Sequence, residues 1–121
     1  MITYDESVKS LATLVERASV SAARAPAVLA AVRVPVLIVV GQYDALFCDA
    51  ASGLSCANAA AVLAREQANF GVRACLGTYV VTDAGHTYPM HIKARDAYNY
   101  SHDWVDRYTF SGTKNANGCV I

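Results

Sequence analysis

The sequence predicts an α/β fold that contains part of a doubly wound parallel sheet. Three observations predict it. Residues 34–40 and 76–82 are short, apolar and rich in β-branched residues, and an alanine-rich segment with helical spacing separates them. Strands that are apolar on both sides are typical of parallel sheets covered on both faces. A strand–helix–strand unit of this length predicts a right-handed crossover between parallel strands.

The N-terminal part predicts two helices. Asp5 or Ser7 is a suitable N-cap for the first helix, and apolar residues follow at helical spacing through residues 8–18. Pro26 begins a short second helix, because proline is favoured in the first turn. Residues 1–33 are therefore predicted to be a helical segment.

The centre of the chain predicts the crossover. Pro35 lies in the first positions of the strand at 34–40. Proline has no backbone N–H to donate to a neighbouring strand, and this loss is tolerated at the start of a strand. A polar loop follows. Ser55 is the predicted N-cap of a helix over 56–70, and Gly71 lies where a C-terminal cap belongs.

The last elements are a strand, a turn and a helix. The strand at 76–82 runs into the turn Asp83-Ala84-Gly85-His86, and a helix is predicted over 93–108. One face of this helix is predicted to contain Ala94, Ala97, Tyr98, Ser101, Val105 and Tyr108. Residues 34–110 form the predicted α/β portion, and the polar residues 111–121 form a predicted flexible tail.

Two parallel strands do not form a stable sheet alone, because their faces and edges need partners. The sequence therefore predicts either a piece of a larger sheet or a subunit that completes its sheet by association. A chain that does not fold alone is a further alternative.

Composition excludes several function classes. With 55% hydrophobic and 17% charged residues, the chain does not have the composition of a disordered protein. Ten basic and ten acidic residues give no net charge, so we expect no nucleic-acid partner. The longest apolar run, 34–40, is too short to span a membrane. No Cys-x-x-Cys or His-Glu-x-x-His motif occurs, and we expect neither a metal nor a cofactor.

The four cysteines, Cys48, Cys56, Cys75 and Cys119, allow three pairings. Cys48 and Cys56 are eight residues apart in a loop, which favours a local disulfide that contributes about 2–3 kcal/mol. The alternative is four free thiols in a cytosolic protein. Paired cysteines indicate an oxidising compartment, although the first residues do not form a signal peptide. A secreted parent protein is the expectation, with its signal on a missing N-terminal part.

Asp44 and His86 each follow a predicted strand. In parallel α/β sheets the carboxyl ends of the strands meet at one edge, where ligands bind. A carboxylate beside a histidine fixes the imidazole tautomer and stabilises the imidazolium. The alternatives are a solvated turn aspartate and a histidine at the surface or at the edge of the core.

These residues carry a resemblance to a known family. The segment VPVLIVVGQYD is similar to the late strand of α/β-hydrolases, whose Gly-x-x-Asp turn presents the triad acid. The segment VTDAGHTYPMH resembles their final strand and Gly-His turn, and 93–108 resembles their closing helix. The loop FCDAASGLSC resembles that of some secreted members. The resemblance implies that Asp44 is the acid and His86 the general base of a Ser-His-Asp triad, and that 1–33 is the end of a cap region.

The sequence departs from this family at the nucleophile. The family's serine lies on a Gly-x-Ser-x-Gly elbow upstream of the acid, and no such motif occurs here. Ser52, Ser55 and Cys48 are near Asp44 in sequence, but a disulfide or buried thiol is the favoured interpretation of Cys48. Without nucleophile and oxyanion donors, the chain alone is predicted to be inactive.

The resemblance implies the C-terminal part of an ester, thioester or amide hydrolase, whose small-molecule substrate binds once an N-terminal half completes the site. The alternative is a non-catalytic, truncated paralogue that dimerises or pairs with the missing hydrolase half. Four apolar side chains flank the predicted site and are candidates for a pocket lining: Tyr43, Leu46, Phe47 and Tyr88. His91 is expected to be structural or to form a pocket wall.

Overall fold

The computed structural model describes residues 14–121. The elements in chain order are α1 (Leu14–Ala23), α2 (Pro26–Ala30), β1 (Leu37–Gly41), α3 (Ala59–Glu66), β2 (Gly77–Val81) and α4 (Ala94–Asp106). A π-helical turn, Arg107–Ser111, continues α4.

Helix α1, Leu14–Ala23, overlaps the end of the predicted first helix and continues beyond it. The predicted caps Asp5 and Ser7 lie outside the described residues. Helix α2 begins at Pro26, which confirms the predicted role of this proline at a helix start.

The two strands pair in parallel, as predicted. Leu37 is opposite Gly77 and Gly41 is opposite Val81, with no bulge between them. The pairing extends beyond the strand ends, because the Val36 amide donates to the Ala74 carbonyl and the Gly77 amide donates to the Val36 carbonyl. Pro35 precedes β1 and removes no donor from it.

The predicted doubly wound sheet is wrong for residues 14–121. The sheet there has two strands, in the order β1-β2, so the βαβα part of a larger hydrolase sheet is not what these residues form. A doubly wound sheet requires further strands beyond the first crossover. After α4 the chain instead continues as the π-helical turn, and residues 112–121 contain a single isolated bridge between Lys114 and Val120.

Helices cover both faces of the small sheet. On one face Val40 and Val80 form an apolar cluster with Val62 of α3 and Cys56. On the other face Val81 packs against Ala97 of α4 and Ala84. Alternating strand residues point to opposite faces, so each strand contributes to both clusters.

Helix α3 begins three residues later than predicted. Asn58, not Ser55, is its N-cap, and the Asn58 Oδ1 accepts a 2.9 Å hydrogen bond from the Ala61 amide. The predicted cap role of Gly71 is also wrong, because its backbone is extended. A Cβ at position 71 would lie 2.9 Å from the carbonyl oxygen of Ala30, so this glycine permits α2 to approach.

Helix α4 lies on the sheet through a narrower face than predicted. Ala94 and Ala97 are buried, and Tyr100 stacks on Tyr79 of β2 with ring centroids 4.4 Å apart. Tyr98 and Val105, which the prediction placed on one face with Ala94 and Ala97, are about half exposed. The face of α4 that packs on the sheet continues through Trp104, which is half-buried, and Tyr98 and Val105 lie on the outer side of the helix.

Two disulfides join the loops to this framework. Cys48–Cys56 is present as predicted, and Cys75 is paired with Cys119. The second bond ties residues 111–121, the predicted flexible tail, to the segment that precedes β2. Among residues 14–121, no helix is long and apolar enough to cross a membrane.

Candidate acid–base site

The turns after β1 and β2 lie against each other. A Cβ at position 41 would lie 2.6 Å from the carbonyl oxygen of Ala84, so a glycine is required for this approach. The Tyr43 amide donates a 2.8 Å hydrogen bond to the same Ala84 oxygen. The two turns are therefore held together by the backbone, independently of the side chains that they present.

Gln42 adds a side-chain link between the turns. Its backbone amide donates to the Val81 carbonyl at 2.9 Å, and its side-chain Oε1 accepts from the Asp83 backbone amide at 3.0 Å. Asp83 has a φ of 60°, a left-handed conformation that aspartate tolerates better than most residues. The Gln42 bond satisfies the amide of this strained position, from which the chain turns toward His86.

Asp44 and His86 meet at this edge of the sheet. The His86 Nδ1 lies 2.9 Å from the Asp44 Oδ2, although 42 residues separate them in sequence. A carboxylate only accepts hydrogen bonds, so the proton of this bond belongs to Nδ1, and in the neutral imidazole Nε2 is then the acceptor. This is the tautomer that a general base requires.

The Asp44 carboxylate is buried and fully hydrogen-bonded. Its side chain is 4% exposed. Its Oδ1 accepts from the amides of Leu46 and Phe47 at 2.9 and 3.0 Å, while Oδ2 faces His86. A buried carboxylate would be costly without these donors, and together they hold it in one orientation.

His86 is the accessible member of the pair. Its side chain is 45% exposed, and the ring of Phe47 lies beside it with centroids 5.4 Å apart. The Cys48 amide donates to the Asp44 carbonyl, and the Cys48–Cys56 bond ties this turn to the start of the α3 segment. The loop after Asp44 is thus anchored while the imidazole faces outward.

A cavity of about 470 Å³ opens beside the pair. Its wall includes both Asp44 and His86, and the remaining lining is mostly apolar. That part of the lining contains Leu29, Ile38, Val39, Val40, Leu46, Phe47, Leu54, Phe70 and Tyr88, with Arg24, Arg65 and Glu66 as its charged members. The volume and the apolar wall are typical of small-molecule sites.

The predicted lining is largely present. Leu46, Phe47 and Tyr88 line the cavity, whereas Tyr43 is 67% exposed and lies outside it. His91 also lies outside, and its Nδ1 accepts a 3.3 Å hydrogen bond from the Lys93 amide. His91 therefore has a local structural role near the start of α4.

None of the residues that line the cavity offers an aliphatic hydroxyl or a thiol. Cys48 is in a disulfide, and the Ser52 hydroxyl is bonded to Asp49 in an exposed turn. Ser55 does not line the cavity either. Burial raises the pKa of the Tyr88 phenol, so Tyr88 stays protonated at neutral pH and is suited to donate a hydrogen bond rather than to attack.

Sequence reasoning missed three residues that line the cavity: Arg24, which follows α1, Leu29 on α2, and Phe70, which lies beyond the end of α3. No local motif marks them, because their place depends on how the helices pack on the sheet. Within residues 14–121, no group of three or more histidine, cysteine, aspartate or glutamate side chains could hold a metal ion.

Searches with protein-family models, among curated proteins and among solved structures find no match to this chain.

Proposed function

We propose that Asp44 and His86 are the orienting acid and the general base of a hydrolase that acts on ester, thioester or amide bonds. The observation that carries this proposal is the 2.9 Å contact between the His86 Nδ1 and the Asp44 Oδ2 beside an apolar cavity. The resemblance of the two turns to those of α/β-hydrolases supports it. A serine from outside residues 14–121 is the proposed nucleophile.

The proposed reaction begins with the imidazole. The His86 Nε2 accepts the proton of the serine hydroxyl while the serine oxygen bonds to the substrate carbonyl carbon. His86 then returns that proton to the leaving alcohol, thiol or amine as its bond to the carbonyl carbon breaks. In the second half-reaction, His86 takes a proton from water as the water oxygen bonds to the carbonyl carbon. It then gives this proton to the serine oxygen as the bond between serine and the carbonyl carbon breaks, which releases the acid and restores the serine hydroxyl.

The environment of Asp44 supports this role. During proton transfer His86 becomes an imidazolium, and a buried carboxylate 2.9 Å away stabilises that charge. The two backbone amides on Oδ1 keep the carboxylate from rotating away. A solvated turn aspartate would not need this arrangement, so the burial of Asp44 favours the proposed role over a surface role.

The test uses the affinity-tagged protein expressed in its native source, with any chain or segment that accompanies it. A fluorophosphonate probe labels only an activated serine. We expect covalent labelling of a serine in the wild-type material and a loss of at least about 100-fold in labelling rate for His86→Gln, the scale of general-base catalysis. Absence of labelling in wild-type material would overturn the proposal.

His102→Gln is the matched control, because His102 is an exposed histidine on α4 and does not line the cavity. Its labelling rate is expected to equal that of the wild type. Equal losses in the two variants would show that the effect of His86 is not specific, and would contradict the proposed base.

A second candidate function is a non-catalytic module that pairs with another copy of this chain. It is favoured by the sheet of residues 14–121, where β1 and β2 each have one edge without a strand partner. Ile92 and Phe110, 91% and 82% exposed, add apolar surface. Sedimentation velocity tests it: a dimer at micromolar concentration supports this candidate, and a monomer contradicts it.

A further inference from the structure

We infer that Arg24 selects substrates that carry a second carboxylate, so that the preferred class is the half-ester, half-thioester or half-amide of an apolar dicarboxylic acid. This inference rests on the proposed function, because it names the substrate class of the same site. The observation behind it is the position of the Arg24 guanidinium at the wall of the cavity that contains His86.

The Phe47 ring lies between Arg24 and His86 and contacts both. The Arg24 guanidinium carbon lies 5.6 Å from the centroid of the Phe47 ring, and that ring lies 5.4 Å from the His86 ring. A cation over an aromatic face is attracted by the ring quadrupole. The guanidinium is therefore no farther from the imidazole than the sum of those two distances.

The charges of the wall leave Arg24 as the unmatched cation. Arg65 forms a 2.9 Å ion pair with Glu66 and donates to the Ser55 carbonyl, so its charge is neutralised. The Asp44 carboxylate is satisfied by two amides and by His86. Among the carboxylates whose side chains the structure describes, none forms an ion pair with Arg24.

A single carboxylate fits this arrangement better than other groups. Arginine offers a planar fork that pairs with a carboxylate through two parallel hydrogen bonds. A phosphate monoester carries nearly two negative charges, and the wall has one uncompensated cation to meet them. A neutral ligand would fill the apolar wall but leave Arg24 unused.

The geometry defines the proposed substrate. Its scissile carbonyl lies beside the His86 Nε2, its apolar chain lies along Leu29 and Phe70, and its free carboxylate reaches Arg24. The acyl group thus occupies the cavity, and the alcohol, thiol or amine leaves toward solvent at the exposed face of His86.

The test measures binding, which does not require a nucleophile. Octanoate and the uncharged octan-1-ol are titrated into the full chain, and amide chemical shifts of Leu29, Phe47 and His86 report occupancy. We expect octanoate to bind more tightly than octanol. Arg24→Gln is expected to weaken octanoate binding about fivefold, the upper range for an exposed ion pair, and to leave octanol binding unchanged.

Arg33→Gln is the matched control, because Arg33 is exposed and does not line the cavity. Equal affinity for octanoate and octanol, or equal effects of Arg24→Gln and Arg33→Gln, would overturn the inference. Octanoate shifts confined to residues outside the cavity would do the same. A failure of the fluorophosphonate test removes the proposed catalysis but leaves these binding results standing, so the two failures are distinguishable.

Discussion

A Cβ at position 41 would lie 2.2 Å from the carbonyl oxygen of Gly85, so Gly41 is what allows the turns after β1 and β2 to touch. No real Cβ approaches an oxygen so closely, and the oxygen belongs to backbone that cannot rotate away. The candidate site depends on this contact, because Asp44 and His86 lie immediately beyond it on the two turns.

Replacing Gly41 by alanine is expected to separate the turns. We expect a loss of about 3 kcal/mol in the free energy of unfolding, the upper end of the range for overpacking, and loss of the Asp44–His86 hydrogen bond. Urea denaturation measures the first effect, and the downfield Nδ1 proton resonance of His86 measures the second. Gly85→Ala is the control, since its Cβ would meet the Tyr43 carbonyl at an ordinary 3.8 Å. A Gly41→Ala protein as stable as Gly85→Ala would contradict the argument.

The tautomer of His86 is expected to depend on Asp44. In Asp44→Asn the amide oxygen retains the bonds from Leu46 and Phe47, and the amide nitrogen then faces the His86 Nδ1 as a donor. Nδ1 must become the acceptor, so the proton moves to Nε2 and the general-base form is lost. Nitrogen-15 chemical shifts of the imidazole measure this change. An unchanged Nδ1–H form in the variant would show that Asp44 does not set the tautomer.

The two disulfides are expected to contribute unequally to stability. Cys48–Cys56 spans 8 positions and Cys75–Cys119 spans 44. Restriction of the unfolded chain grows with loop length, which gives about 2.5 kcal/mol for the first bond and about 4 kcal/mol for the second. Paired cysteine-to-alanine variants compared by urea denaturation test the order. A larger loss from the shorter loop would mean that the Cys48–Cys56 bond also holds native structure around the Asp44 turn.

Much of the site could be predicted because it depends on local patterns. Two apolar β-branched segments predicted the strands, and the parallel pairing brought Asp44 and His86 to one edge. The cavity could not be predicted in the same way. Arg24 and Phe70 line it through the packing of helices, which leaves no periodic signal in the sequence.

The errors in the fold also have physical causes. Apolar strands predict that both faces of the sheet are covered, but they do not predict how many strands the sheet contains. Here α3 and α4 cover the two faces of a sheet with two strands. The sequence alone leaves the Cys75–Cys119 pairing open, because the two cysteines are 44 positions apart. A pairing over that distance is set by the fold, and four cysteines alone allow three arrangements.

The Asp83–Lys93 ion pair is expected to make stability depend on pH. The Lys93 Nζ lies 2.7 Å from the Asp83 Oδ2, and this hydrogen bond together with the lysine charge lowers the pKa of Asp83 from 3.8. A lowered pKa in the folded state stabilises the fold above the ordinary value, and that contribution is lost as pH falls through the lowered pKa. Wild type is therefore expected to exceed Asp83→Asn in stability at pH 5–8.

The difference between wild type and Asp83→Asn should shrink as the pH falls below 3.8. Asparagine is the suitable substitution, because it tolerates the left-handed φ of position 83 while removing the charge. Urea denaturation of both proteins between pH 2 and pH 8 gives the profile. A difference that stays constant down to pH 2 would mean that the ion pair contributes nothing.

The start of α3 gives a direct comparison between the predicted and the observed cap. Asn58 Oδ1 accepts from the Ala61 amide inside the helix, whereas the Ser55 Oγ accepts a longer 3.3 Å bond from the Ala57 amide before the helix begins. Asn58→Ala should therefore lower the free energy of unfolding by about 1 kcal/mol, the usual loss for an N-cap, and Ser55→Ala by less. Thermal and urea denaturation of both variants measure the order. If Ser55→Ala were the more destabilising, the helix would begin where the sequence pattern alone places it, and Asn58 would not be the cap.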